Sequence, residues 1–222
     1  MVFFGAMLVQ SSMMPPPPVD TAVMGSVRPG EPYLAATPVP TSRANERALR
    51  SNHAIRDAIP QDAASVAKLG ASTFAASFGF SIPPADLHTY LTEAYSTAAI
   101  EEDIRDPSKH VLVACFEDQI IGFAQLTEGT TEPCIKDPDQ TVELQRLYVR
   151  REFHGTGVGK SLTRNVETVA KELGYRAMWL GVWEGNFKAQ RVYEAMGFTR
   201  IGDHEFKMGQ CIQTDWIMVK DL

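Results

Sequence analysis

Three glycines separated by single residues, Gly155, Gly157 and Gly159, form the segment of this chain with the clearest chemical use. Glycine tolerates positive φ and lets a ligand approach the backbone where a Cβ would block it. If a helix begins here, the free N–H groups of its first turn and its dipole favour an anion. The segment is therefore a candidate phosphate or pyrophosphate site. Its candidate residues are His154, Gly155, Thr156, Gly157, Val158, Gly159 and Lys160.

Two common phosphate-binding loops do not fit this segment. The P-loop requires a glycine five positions before Gly159-Lys160-Ser161, where this chain has His154. The dinucleotide-binding fingerprint requires a third glycine at the position of Lys160. The segment still fits a Gln/Arg-x-x-Gly-x-Gly pattern, in which His154 takes the first position in place of glutamine or arginine. Histidine can still donate a hydrogen bond. We therefore expect a weaker positive charge at this position of the loop but no loss of the anion site. On its own, such a loop could also simply turn the chain.

The segments on either side of the glycines have the periodicity of a strand and of a helix. Residues 142–149 contain β-branched, leucine and tyrosine side chains typical of a half-buried strand. From Val158 to Leu173 apolar residues recur at steps of three and four, which predicts an amphipathic helix, and Gly174 is a stop signal. A second apolar strand follows at 177–183. This order predicts two parallel strands joined by a right-handed crossover.

The remaining segments predict further strands and helices around this unit. Asp62 and Ser96 are expected to cap two of the helices, and Gly197 is expected to end a third. The predicted strands are 53–58, 111–116, 120–126, 198–208 and 212–219. The predicted helices are 63–78, 83–95, 97–106 and 187–196. This order indicates an α/β or α+β fold with helices packed on one sheet.

A second motif makes the pattern more specific. Asn186-x-x-Ala189-x-x-x-Tyr193-x-x-x-Gly197-Phe198 follows the second parallel strand. Together with the glycine loop, it resembles the GNAT superfamily of acyl-CoA-dependent N-acyltransferases, over roughly residues 55–222. The resemblance implies a single GNAT-type domain of the α/β (α+β) class. Its central sheet would be mixed and mostly antiparallel, with a splayed parallel pair and helices on both faces.

The resemblance also implies acetyl-CoA as co-substrate and a way to hold it. In the superfamily, the strand before the glycine loop leaves its parallel neighbour at a β-bulge, and its backbone binds the pantetheine arm. Leu147 and Val149 would make these contacts, with Tyr148 between them facing the other way. Asn186 and Ala189 would bind the same arm, although an asparagine before a helix is also a common cap.

Two catalytic roles follow from the same resemblance. Tyr193 would act as general acid for the departing thiolate, and Glu143 as general base for the acceptor amine, directly or through one water. Each residue also has a structural interpretation. Tyr193 lies on the apolar stripe of its helix and could be a core residue, and Glu143 could be an exposed carboxylate on the polar side of its strand.

Within the superfamily, three segments look most like the bacterial polyamine (spermidine/spermine) N-acetyltransferases: residues 94–97, 179–186 and 213–218. The hypothesis is therefore acetyl transfer from acetyl-CoA to a primary amine of a small molecule such as spermidine or spermine, by direct attack in a ternary complex. Two alternatives stay open. One is acetylation of protein lysines or N-termini, and the other is a non-catalytic acyl-CoA-binding module.

Composition limits the other classes of partner. The 222 residues carry a net charge of −6, which argues against nucleic acid as the main partner. We find no apolar run near the roughly 18 residues of a membrane helix. Three scattered cysteines form no C-x-x-C pair, which suggests neither a disulfide framework nor a metal site and favours a cytoplasmic location.

The domain organisation is predicted from a shift in composition. Residues 1–52 are rich in proline and lack a helical or strand period, which predicts a disordered tail. The GNAT N-acetyltransferase domain is expected over residues 53–222. Many members of the superfamily dimerise, so a homodimer is a candidate assembly.

Overall fold

A computed structural model describes residues 53–222, and the proline-rich segment with its predicted disorder lies outside the described residues. The helices are α1 (Ala63–Phe78), α2 (Pro84–Ala94), α3 (Thr97–Arg105), α4 (Val158–Glu172) and α5 (Phe187–Ala195). The strands are β1 (Ala54–Asp57), β2 (Lys109–Phe116), β3 (Gln119–Thr127), β4 (Thr141–Val149), β5 (Ala177–Trp183), β6 (Thr199–Met208) and β7 (Cys211–Asp221). Short 3-10 turns lie at Pro60–Asp62, Pro138–Gln140 and Arg151–Phe153.

The seven strands form one mixed sheet in the order β1-β2-β3-β4-β5-β7-β6. Neighbouring strands are antiparallel except β4 and β5, which are parallel and joined through α4. The predicted fold class and the predicted strand–helix–strand unit are confirmed. Strand β7 pairs with both β5 and β6, so β7 lies inside the sheet and β6 forms its edge.

The two parallel strands, β4 and β5, are paired at one end only and then separate. β4 and β5 are in register only from Thr141 to Glu143, opposite Ala177 to Trp179. On its other side β4 shifts register against β3, because Gln125 lies opposite Arg146 while Leu126 lies opposite Leu144. The residue left over is Gln145, and such a β-bulge bends its strand. The splayed pair expected from the family resemblance is therefore present.

The two faces of the sheet carry separate cores. The α4 face is covered by α4 and α5, and its buried cluster includes Leu147, Val158 and Leu162. The α1 face is covered by α1, α2 and α3, and its cluster includes Phe123 and Tyr148. Helices thus cover both faces, as predicted. Consecutive residues of β4 enter different cores because strand side chains alternate between faces.

Most predicted helix ends agree with the structure, with one correction. The Ser96 hydroxyl accepts a hydrogen bond from the Ala99 N–H at 3.1 Å, so Ser96 caps α3 as expected. Asp62 stands at the N-cap position of α1, but its side chain makes no capping bond. Instead it accepts from the Arg56 guanidinium at 2.6 Å and from the Ile59 N–H at 2.9 Å. A charged partner within reach competes with the cap.

Candidate active site

The glycine loop connects β4 to α4 in an open, left-handed conformation. Gly155 has φ 76° and Gly157 has φ 96°, and a Cβ added at either position would meet no atom within 4 Å. The first bond at this end of α4 runs from the Ser161 N–H to the Gly157 carbonyl at 2.9 Å. Helix geometry then leaves the N–H groups of Val158, Gly159 and Lys160 without intrahelical acceptors. These open positions and free donors fit a diphosphate.

His154 fixes this loop against the end of β4. Its Nε2–H donates to the Val149 carbonyl at 2.8 Å. Burial lowers the pKa of the imidazole, and the nearby charges of Lys188 and Arg151 lower it further. His154 is therefore neutral near pH 7 and contributes a hydrogen bond rather than a charge at this corner.

The splayed end of β4 presents its side chains to both faces. Leu147 and Val149 are buried in the cluster of the α4 face. Tyr148 lies on the α1 face, where its hydroxyl and that of Tyr95 are hydrogen-bonded at 2.7 Å. Beyond Glu143 the β4 backbone has no ladder partner on β5, so this edge is available to an extended ligand arm.

Helix α5 follows β5. Of three predicted site residues here, Asn186 stands at the N-cap of α5, and Ala189 and Tyr193 lie within the helix. The Asn186 side chain accepts from the Ala189 N–H at 3.1 Å, so Asn186 caps this helix. Ala189 and Tyr193 are fully buried in the same cluster as Leu147. The Tyr193 ring packs edge-on against Phe198, with centroids 5.7 Å apart. The core interpretation of Tyr193 thus holds for its ring.

Glu143 is buried rather than exposed on a polar face. It lies on the α1 face opposite Trp179, and its exposed fraction is 0%. Within residues 53–222, neither carboxylate oxygen has a hydrogen-bond partner at normal distance. Burial raises its pKa to about 8, against the opposing influence of Thr130 and Arg146. A buried carboxyl with such a pKa can take up a proton near neutral pH.

The cation nearest in sequence to Glu143 on this face is already paired. Arg146 forms an ion pair with Asp103 of α3 at 2.7 Å, and its guanidinium lies 5.1 Å from the centre of the Tyr95 ring. Asp103 also binds Lys109. Arg146 therefore anchors α3 to β4.

A cavity of about 870 Å³ opens over the α1 face. It lies between α2, the β3–β4 loop and the β6–β7 hairpin. Its wall consists of Thr89, Tyr90, Glu93, Ala94, Thr131, Glu132, Pro133, His204, Glu205, Phe206, Lys207, Met208 and Gly209. This cavity, on the same face as Glu143, is the candidate acceptor pocket.

Sequence reasoning missed three titratable residues in this region: Glu132 and His204, which line the pocket, and Asp215, which does not line it but neighbours His204. The His204 Nδ1–H donates to Glu132 at 2.7 Å. Asp215 lies opposite His204 in the β6–β7 ladder, and burial raises its pKa to about 7. A signal existed, because Asp215 alternates with Ile217 and Val219 and so occupies an apolar position of its strand.

The comparisons with known proteins agree with this geometry. The family model described as Acetyltransferase (GNAT) family matches residues 77–198, which is more than half of the chain. The chain belongs to the GNAT acetyltransferase family. It is 32% identical to an uncharacterized N-acetyltransferase of Mycobacterium tuberculosis over 161 residues, covering 72% of this chain and 98% of that protein. It is 30% identical to another from Lactobacillus delbrueckii subsp. lactis, covering 68% and 86%.

A solved structure shares the GNAT fold. The PaiA N-acetyltransferase from Thermoplasma acidophilum, in complex with coenzyme A, aligns with a TM-score of 0.63 at 21% identity. The alignment covers 77% of this chain and 99% of that protein. Family membership makes this chain an acetyl-CoA-dependent N-acetyltransferase of the GNAT type, and the open glycine loop and splayed strands fit that co-substrate.

Two further observations concern the described residues 53–222. No helix in this range has the length and apolar character needed to cross a membrane. The same range contains no group of three His, Cys, Asp or Glu side chains that could hold a metal ion. The three cysteines, Cys115, Cys134 and Cys211, are free thiols.

Proposed function

We propose that this GNAT enzyme acetylates a primary amine of a small cationic molecule, with a polyamine such as spermidine as the first candidate. The observation that carries this proposal is Glu143, a fully buried carboxylate on the same sheet face as the acceptor pocket. A buried carboxylate without a cation is costly, and an ammonium group would supply the missing charge.

Acetyl-CoA supplies an activated thioester carbonyl to this site. For its diphosphate we propose the loop from His154 to Lys160, with the free N–H groups of Val158, Gly159 and Lys160 as donors. The N–H groups of His154 and Thr156 already donate to the Arg151 and Phe153 carbonyls, so these two residues shape the loop. For the pantetheine arm we propose the β4 backbone at residues 147–149, with Asn186 and Ala189 alongside. Both assignments are supported by the left-handed glycines and by the missing ladder beyond Glu143.

Glu143 is proposed as the general base. The ammonium N–H bond breaks, its proton passes to a Glu143 oxygen directly or through one water, and the freed lone pair attacks the carbonyl carbon. A pKa of about 8, raised by burial, leaves Glu143 mostly protonated at pH 7, so the base form and with it the rate should increase as the pH rises toward 8.

Tyr193 is proposed as the general acid. The carbon–sulfur bond breaks, and the phenol O–H supplies the proton that the departing thiolate needs. The position of Tyr193 supports this role, since α5 begins directly after β5 and Tyr193 shares a cluster with Leu147 and Val149 of the splayed strand. The ring packs in the core while the hydroxyl remains a polar handle.

The test is a panel of acceptors with acetyl-CoA, followed by release of free thiol. Spermidine, simple alkylamines, amino acids and lysine-containing peptides would be compared at equal concentration. We expect saturable turnover of small amines and much weaker turnover of peptides. Preference for a peptide would replace the proposal by protein acetylation. Tight coenzyme A binding with no turnover of any acceptor would favour a non-catalytic acyl-CoA-binding module.

A further inference from the structure

Strand β4 carries two adjacent polar residues, Gln145 and Arg146, just after the last residue that pairs with β5. Side chains of a regular strand alternate between the two faces of a sheet, so residues three positions apart point to opposite faces. Leu144 and Leu147 are three positions apart, yet both lie in the buried cluster of the α4 face. The alternation therefore slips by one residue at the β-bulge, and both polar side chains can reach the α1 face.

A buried hydrogen-bond network holds the two side chains on that face. The Gln145 Oε1 atom accepts from the Gln125 Nε2–H at 2.7 Å and from the Thr127 hydroxyl at 2.9 Å. The Arg146 guanidinium donates to the Gln125 Oε1 atom at 3.0 Å and to the Asp103 carboxylate at 2.7 Å. All five residues are buried. The network thus connects the bulge of β4 to β3 on one side and to α3 on the other.

The sequence of the strand makes this bulge the favourable arrangement. In a regular strand, one of the two polar side chains would point into the α4 face, whose core is aliphatic and includes Leu144, Leu162 and Val166. Burying an amide or a guanidinium there without a partner is costly. A bulge of one residue avoids that cost and bends its strand. The ladder between β4 and β5 accordingly ends at Glu143, two residues before Gln145.

We propose that Gln145 and Arg146 are positioning residues. By reaching the same face of the sheet, they fix the β-bulge that keeps the β4 edge open for the pantetheine arm of acetyl-CoA. This inference rests on the proposed binding of that arm along β4 at residues 147–149. Neither side chain contacts the reacting atoms, so neither is catalytic. Gln125 and Asp103 hold the two side chains in place.

The most direct test is deletion of Gln145. It removes the additional residue, so Leu144 and Leu147 stay on the α4 face and the existing pairs between β3 and β4 stay in register. We expect β4 to straighten and to pair further with β5, which closes the edge. Calorimetry should then show that affinity for coenzyme A falls about tenfold or more, because the arm loses its backbone partners.

The nucleotide half of coenzyme A, adenosine 3′-phosphate 5′-diphosphate, is the control ligand. It keeps the diphosphate but lacks the pantetheine arm, so its affinity should change less than about twofold in the deletion variant. Hydrogen exchange of the free enzyme gives a readout without any ligand. The ladder to β5 stops at Glu143, so β4 amides of residues 144–149 that point to that side should exchange quickly, and they should become protected in the deletion variant.

Two matched substitutions give an independent test, which also decides the question if thermal unfolding shows that the deletion variant does not fold. Asp103 and Asp62 each form an ion pair with an arginine, at 2.7 and 2.6 Å, and each side chain is 11% exposed. Asp103→Asn loosens Arg146 at the bulge and should weaken coenzyme A binding about threefold, with the nucleotide half unaffected. Asp62→Asn removes the same charge beside β1, at the edge of the sheet, and should leave both affinities unchanged.

The outcomes separate the positioning role from the proposed function. Unchanged affinity for coenzyme A in the folded deletion variant, or an equal loss for coenzyme A and its nucleotide half, would overturn the positioning role and leave the arm on β4. Matching affinities in Asp103→Asn and Asp62→Asn would also overturn it. If the unmodified enzyme binds the nucleotide half as tightly as coenzyme A, the proposed placement of the arm on β4 fails, and the positioning role with it.

Discussion

The two faces of the sheet differ in how they are built. The α4 face is packed with aliphatic side chains such as Leu144, Leu162 and Val166. The α1 face places carboxylates and a guanidinium in its interior, among them Glu143, Asp103 and Arg146. An apolar face stabilises the fold whatever ligand is present. Buried charges on the other face cost stability unless a partner satisfies them.

The difference also separates the two substrates. The features proposed for acetyl-CoA, the glycine loop and the splayed strand, lie in one continuous segment from β4 to α5. The acceptor pocket gathers residues from α2, the β3–β4 loop and the β6–β7 hairpin. In the proposed function, the co-substrate is therefore bound by one local motif, whereas the acceptor is bound by elements that are distant from one another in the sequence.

The largest expected effect is on Tyr193, which lies in the buried cluster of the α4 face. Tyr193→Phe keeps the ring and its packing on Phe198 but removes the proton donor. We expect kcat to fall about 10²-fold or more, while coenzyme A affinity changes less than about threefold. Stopped-flow thiol release and calorimetry measure the two quantities. Unchanged turnover would show that Tyr193 is only a core residue.

Glu143→Gln tests whether the reaction needs the buried carboxyl group on the α1 face. Without a group that can take the proton, we expect kcat to fall about 10²-fold at pH 7, and the ionisation near pH 8 to disappear from the rate profile. The free energy of unfolding should change in the opposite direction and increase in the variant. Burial raises the pKa of Glu143 in the folded protein above the ordinary value of 4.5, so Glu143 costs stability increasingly from about pH 4.5 to about pH 8.

The glutamine variant should therefore unfold at higher temperature than the unmodified enzyme at pH 8, and at the same temperature at pH 4. A variant that loses stability at pH 8 would mean that Glu143 is charged and paired in the folded protein. A rate profile that keeps its ionisation would assign the base to another group.

The contrast between faces explains what the sequence allowed us to predict. The β4–α4–β5 unit and the C-caps at Gly174 and Gly197 follow from local periodicity and from residues that tolerate positive φ. The mixed sheet and its splayed pair came from the family resemblance, because strand order depends on contacts between distant segments. Helix α4 ended one residue earlier than predicted, at Glu172.

The acceptor side was harder for the same physical reason. Asp62 follows a strong local rule for caps, yet Arg56 of β1 takes its side chain, and no local pattern reports that ion pair. Glu132 and His204 are 72 positions apart in the chain and meet only when the β3–β4 loop crosses β6. Buried polar clusters of this kind are specified by tertiary structure.

The glycine loop offers a smaller effect with an internal control. Gly157 and Gly174 stand at opposite ends of α4, both with positive φ and with open space where a Cβ would be. Alanine at either position should cost stability by roughly 1 kcal/mol, since the left-handed conformation disfavours a Cβ. Only Gly157→Ala should also weaken coenzyme A binding, by about tenfold, because its Cβ enters the proposed diphosphate site. Equal affinity in both variants would move the diphosphate elsewhere.

The smallest expected effect concerns Asn186, and it decides whether this side chain only caps α5 or also binds the cofactor arm. Asn186 and Ser96 each cap a helix by accepting the N–H of the residue three positions later at 3.1 Å. Alanine at either position should lower the free energy of unfolding by about 1 kcal/mol. If Asn186 also binds the cofactor arm, Asn186→Ala alone should weaken coenzyme A binding, by about threefold. Ser96 lies on the other face, so Ser96→Ala gives the affinity expected from loss of a cap. Matching affinities in the two variants would leave Asn186 as a cap, and the arm would then depend on the β4 backbone.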